Sequence, residues 1–137
     1  MESITLRRPI TLKVIVTPEL KRETLKGLDD AIREIEKEVA AIDGEARRLI
    51  PDLEKQNLKQ AMELKRQIEA ERKKRTDLRV SMEARIQEVQ AWELDEEVVQ
   101  GRLEGTAEVK VGDDLNQILS ASIVIKDGKV IKINSEG

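Results

Sequence analysis

The residues Leu25, Leu28, Ile32, Ile35, Val39, Ile42, Ala46 and Leu49 follow one another at alternating steps of three and four. That spacing is the a/d repeat by which one helix lies along another, and it leaves the segment few alternatives. Gly27 and Gly44 fall off the stripe. Each costs about 1 kcal/mol of helix propensity, too little to break it. A second run, Ala61, Leu64, Ile68, Glu71, Arg75, Leu78 and Met82, keeps the spacing with Glu71 and Arg75 polar inside the seam. The step from Met82 to Ile86 is four where three was due, a stutter that locally unwinds a supercoil. Between the runs lies "IPDLEKQN" (50–57), whose Pro51 disfavours continuing a helix. The pattern predicts helices near 18–50 and 58–96, antiparallel, turning between Pro51 and Asn57.

Charge supports the pairing and sets a register. With Leu25 and Ala61 as a positions, the e positions of the first helix are Asp29, Glu36 and Asp43; those of the second are Lys65, Arg72 and Arg79. In an antiparallel pair e faces e, and opposite charges there choose partner and alignment. One alignment joins Asp43 to Lys65, Glu36 to Arg72 and Asp29 to Arg79, and brings Glu38 toward Lys74. Ile32, Ile35, Val39, Ile42, Ile68 and Leu78 are then expected to be shielded, with Lys73 exposed. The basic run Arg72-Lys73-Lys74-Arg75 is absorbed by this reading. Successive helical residues turn by about 100°, so four in a row encircle the helix and build no single basic face.

The flanks change period. Ile10, Leu12, Val14 and Val16 alternate with Thr11, Lys13 and Ile15, the signature of a strand with one buried face. Thr17-Pro18-Glu19 then supplies an N-cap, a proline at N1 and an acidic first turn. After "ELDEE" (93–97) come β-rich runs punctuated by Gly101, Gly105 and Gly112. "DDLNQILS" (113–120) reads as a short helical turn capped by an Asp. "SIVIKDGKVIKIN" reads as a hairpin whose Asp127-Gly128 favours a type I′ turn. The expected fold is α+β: a small, barrel-like β domain from residues 1–16 plus 98–137. A long antiparallel coiled-coil hairpin, residues 17–97, is inserted between its first and second strands.

Composition narrows the function. The 137 residues include no His, Cys or Tyr, 39% are charged, and Trp92 is the only aromatic ring. Histidine and cysteine nucleophile systems and ordinary zinc sites are thereby excluded, and no enzymatic activity is expected. "VKVGDDLNQ" lacks the spaced ligands of an EF-hand loop, and the glycines match neither a GxGxxG motif nor a P-loop. No catalytic, cofactor or metal residue is expected. "MESITLRRPITL" has no signal-peptide run and no stretch resembles a membrane span, so the expectation is a cytoplasmic protein without a membrane partner. No small-molecule substrate is evident.

Two functional readings remain. The first is a non-enzymatic interaction or assembly protein, in which the β domain presents a coiled-coil stalk to a protein partner or to a second copy. The alternative is an RNA- or ribosome-associated protein using Lys65, Arg66, Arg72, Lys73, Arg79 and Arg85 as phosphate contacts. The net charge of −3, without a strongly basic segment, weighs against that alternative.

"ITLKVIVTPELKRETL", "NLKQAMELKRQIEAERKKR", "LEGTAEVKVGDDL" and "SIVIKDGKVIKI" together resemble the YlqD-type family of small bacterial proteins, in the expected order along most of the chain. The resemblance implies a protein with no assigned activity, encoded near ribosome and tRNA-maturation genes, which keeps the RNA reading in play. Prefoldin also joins coiled-coil helices to small β elements, but there the β part lies between the helices, the reverse of the order here.

Overall fold

The computed structural model describes residues 2–134. Met1 and residues 135–137 of the expected β domain lie outside the described residues. Element order is β1 (Ser3–Ile15), α1 (Pro18–Gln56), α2 (Leu58–Gln90), β2 (Glu97–Lys110), α3 (Leu115–Leu119), β3 (Ser122–Lys126) and β4 (Lys129–Asn134). This is a mixed α+β chain with two long helices and one four-stranded sheet. It divides into two compact units, Arg22–Ala91 and the two flanking segments together.

The sheet is open and not barrel-like. Its order is β2-β1-β3-β4, so β2 and β4 sit on opposite edges with β1 and β3 between them. The strand lengths explain why it does not close. β1 and β2 pair antiparallel over 13 and 14 residues, whereas β3 and β4 have 5 and 6. The short hairpin covers only the second half of β1, through parallel pairing of Thr11–Val14 with Ser122–Ile125. β1 also begins at Ser3, well before the alternating stretch that starts at Ile10.

Local chemistry fixes the ends of these elements. The β3–β4 turn has positive φ at Asp127 (51°) and Gly128 (78°), as a type I′ turn requires at both central residues. Asp114 caps α3, its side chain accepting from the N–H groups of Asn116 and Gln117. Thr17 caps α1 through a 3.1 Å bond from the Leu20 N–H. Val16, Val124, Ile118 and Ala121 form the buried centre of the β unit.

The helices depart from expectation at Pro51. α1 runs straight through it to Gln56, and Asn57 is the sole non-helical residue before α2. A proline in a helix interior loses a backbone bond and costs about 3 kcal/mol. Several contacts offset that cost. Leu53 carries the apolar stripe one step beyond Leu49 and is half-buried. Glu54 reaches Lys65 on α2 at 3.5 Å. Asn57 closes α1, donating its N–H to the Leu53 carbonyl at 2.7 Å, and opens α2 by accepting from the Gln60 N–H at 3.1 Å. At the other end α2 stops at Gln90, before the expected 96, and Asp95 turns the chain with φ 71°.

The longer first helix changes the register. Arg72 pairs with Asp43 at 3.2 Å, and Arg79 pairs with Glu36 at 3.4 Å. These pairs run in opposite directions along α1 and α2, so the helices are antiparallel. Arg72 and Arg79 each meet the acid one heptad later than expected, whereas Lys65 meets Glu54, eleven residues after Asp43. Asp43–Lys65, Glu36–Arg72 and Asp29–Arg79 are therefore not the pairs formed. Moving the turn by half a heptad shifts the facing positions by a whole heptad, so at Arg72 and Arg79 e positions still meet e positions. Glu38 bonds Arg75 at 3.1 Å, while Lys74 turns to Glu71 on its own helix.

Along the seam Ile35 is buried, and Ile32, Val39, Ile42 and Ile68 are half-buried. Leu78, expected to be shielded, remains 48% exposed. Lys73 is exposed, as expected.

Candidate functional site

Two surfaces carry the candidate chemistry: the cations of α2, and the sheet with its edges. On α2 every residue singled out for nucleic acid faces a carboxylate. Lys65 meets Glu54, Arg72 meets Asp43, and Arg79 lies between Glu36 of α1 and Glu83 of its own helix. Arg66 pairs with Glu63 at 3.4 Å, Lys73 with Asp77 at 2.9 Å, and Arg85 with Glu88 at 3.0 Å, each within one turn. These are exposed pairs, individually worth about 0.2–1 kcal/mol. The structure spreads the six residues along α2 with an acid beside each.

One polar cluster enters the seam itself. Arg75 donates from Nε to Glu38 at 3.1 Å and from Nη1 to Glu71 at 2.9 Å. The Arg75 hydrogen bond, followed by the charge of Lys74, holds the Glu71 carboxyl below its ordinary value. Glu71 in turn holds the Arg75 guanidinium above its own. Beside this cluster opens an apolar groove of about 370 Å³, lined by Ile42, Leu49, Leu64 and Ile68 with Glu71 and Arg75 at its rim.

The sheet places apolar residues on one face. Ile4, Leu6, Ile10, Leu12 and Val14 of β1 share that face, because side chains alternate along a strand. Through the β1–β2 register it continues onto Val109, Ala107, Leu103 and Val98, and through β3 onto Ile123, Ile125, Ile133 and Val130. Arg8 interrupts the row. It is only 8% exposed, and its Nη1 donates to the Ile118 carbonyl of α3 at 2.6 Å. The cover is incomplete: Leu103 (48%) on edge strand β2, Ile133 (65%) on edge strand β4, and Ile4 (66%) in the first half of β1, which β3 does not reach, stay largely open to solvent. Half-buried and buried residues such as Leu6, Arg8, Ala107 and Ile123 lie between them, so the exposed apolar area is concentrated at the margins of the face.

The edges differ in character. β4 carries Lys129 and Lys132, and Ile131 is an extra residue opposite the Val124–Ile125 step. Edge lysines and bulges discourage further pairing. β2 has its own extra residue, Gln100, opposite Leu12–Lys13, but from Gly101 to Lys110 it runs without interruption. Among the described residues no strand pairs with its outer side. Gly105 sits where an added Cβ would lie 2.5 Å from Ile10 Cδ1, so the Ile10 side chain folds over it. The sequence signal for this edge was present in the odd positions Gly101, Leu103, Gly105, Ala107 and Val109, an apolar alternation masked by its small residues.

Among the described residues no helix is long and apolar enough to cross a membrane. The family described as "YlqD protein" matches residues 4–134. A crystal structure of a protein of unknown function from Synechococcus sp. WH 8102 shares 26% identity and superposes with a TM-score of 0.85, over 96% of this chain and 95% of that one. No curated protein matches. With the match running through both flanks of the sheet and both long helices, the chain belongs to the YlqD family.

Proposed function

We propose that the protein is a non-enzymatic interaction or assembly protein whose β unit carries an antiparallel coiled-coil hairpin between its first and second strands. The observation that carries this reading is the apolar residues left exposed on one sheet face, Leu103 and Ile133 on the two edge strands and Ile4 in the half of β1 that β3 does not reach. A sheet face of this kind is completed by a partner. The coiled-coil assignment is supported by the a/d spacing and by e-to-e pairing at Asp43–Arg72 and Glu36–Arg79. RNA or ribosome binding through Lys65, Arg66, Arg72, Lys73, Arg79 and Arg85 draws less support, since each has an acid within 4 Å.

Photo-crosslinking in cells separates the two. A crosslinker at Leu103 or Ile133 is expected to capture protein, either this chain or another. Capture of RNA in its place would overturn the reading. So would co-sedimentation with ribosomes that falls steeply with salt and is abolished by reversing Arg72 and Arg79.

A further inference from the structure

The surface with the most specific geometry is the outer side of β2. We infer that it pairs antiparallel with β2 of a second copy, about a two-fold axis at Gly105, joining two sheets into one. This inference names the partner within the assembly reading above and rests on it.

The backbone is poised for such pairing. The Thr11 N–H donates to the Ala121 carbonyl on the β3 side. Alternate residues of a strand point their polar groups to opposite sides, so Ile10 and Leu12 turn theirs toward β2. Their partners there are Leu103 and Gly101. Residues 101, 103, 105, 107 and 109 therefore bond β1. Arg102, Glu104, Thr106 and Glu108 direct N–H and C=O outward, where the described residues offer them no strand.

Charge selects the register. With Gly105 facing itself, Arg102 lies opposite Glu108 of the second copy and Glu108 opposite its Arg102, while Glu104 faces Thr106. Every charged residue in the paired stretch then meets an opposite charge or a hydroxyl. Moving the axis to Glu104 sets Glu104 against itself. Moving it to Thr106 sets Glu104 against Glu108 and Arg102 against Lys110. Placing it at Leu103 runs the ladder into the bulge at Gln100. Placing it at Ala107 keeps Glu104 opposite Lys110 within β2 but sets Leu103 opposite Val111, past the end of the strand, so the exposed leucine gains no partner. The Gly105 register alone keeps opposite charges across an unbroken strand and also sets Leu103 against a residue of β2. An isologous contact also needs this self-complementarity. On the apolar face Leu103 then lies beside Ala107 of the second copy, which removes the exposed leucine from water. The bulged, lysine-bearing β4 offers no equivalent edge.

The test is sedimentation of the full chain over a wide concentration range, with two kinds of variant. Arg102→Glu sets like charges together twice per dimer and should weaken dimerisation by about tenfold or more. Glu108→Arg should do the same, and the double variant Arg102→Glu/Glu108→Arg should recover most of the loss. Thr106→Pro removes an outward N–H that β1 does not use, so the sheet should stay folded by circular dichroism while the dimer is lost. In the wild-type dimer the amides of Arg102, Glu104, Thr106 and Glu108 should exchange slowly.

A monomer at every concentration would overturn the inference. So would a dimer indifferent to all of these variants. A dimer that survives them but is lost on Ile68→Glu in the α1–α2 groove would overturn β2 pairing while leaving the assembly reading standing.

Discussion

The β unit buries its central residues almost completely, with Val16, Val124 and Ile118 at or below 1% exposure, whereas the helix pair leaves most of its seam half-open. Two helices have one stripe each to bury against the other, so apart from Ile35, Ala61 and Val89 their apolar residues stay partly open. The two regions also settle alignment by different means. In the sheet a slip of one residue moves every side chain to the wrong face, so burial fixes register tightly. In the helix pair a slip of seven returns a to a and e to e, and burial scarcely distinguishes the results. What fixes alignment there is the position of the turn. The regions therefore differ in how much a local sequence error matters.

The largest expected contrast is in core truncation. Ile118→Ala removes a fully buried side chain and should cost about 2–5 kcal/mol. Leu78→Ala, at a seam position that is half open, should cost under about 1 kcal/mol. Urea unfolding of both variants checks this, and similar losses would erase the distinction between the regions.

Next comes the turn. Pro51→Ala restores a backbone bond within α1 and should stabilise the protein by about 1–3 kcal/mol with the turn still at Asn57. Asn57→Ala should cost about 1 kcal/mol by removing the α2 cap. If Pro51→Ala instead destabilises or moves the turn, the proline sets the register and the cap does not.

The smallest effect concerns pH. Glu71 has a lower pKa folded than unfolded, so its contribution is complete above the ordinary glutamate value. That contribution is lost as pH falls through the depressed folded value. Unfolding midpoints measured from neutral pH down through the glutamate range should fall less steeply for Glu71→Gln than for the wild type. Parallel slopes would remove Glu71 from the seam's energetics.

Features governed by a few adjacent residues were readable in the sequence. Asp127-Gly128 specified its turn, Asp114 capped α3, and Thr17-Pro18 started α1. The heptads revealed two helices and their antiparallel pairing, and even which classes of position would carry the charge pairs. They did not reveal which heptad meets which, because the intrinsic cost of Pro51 points to a break there. Leu53, Glu54 and Asn57 together outweigh that cost, and their partners are visible only once α2 lies alongside. The barrel expectation failed for a related reason. Strand periodicity shows that strands exist but not their order, and the order leaves β2 and β4 at opposite edges. Of the six basic residues, Lys65, Arg72 and Arg79 were legible as paired, though with other acids, whereas Arg66, Lys73 and Arg85 were not, since they bond acids on their own helix.

The register of the helix pair can be measured directly, because the chain has no cysteine to interfere with labelling. Spin labels at Asp43→Cys with Arg72→Cys, and at Glu36→Cys with Arg72→Cys, report two distances by pulsed electron resonance. The residues 36 and 43 lie seven apart on one helix, roughly 10 Å along its axis. The register described above predicts a short 43–72 distance and a 36–72 distance several ångströms longer. A 36–72 distance shorter than 43–72 would place the turn at Pro51 and contradict the account.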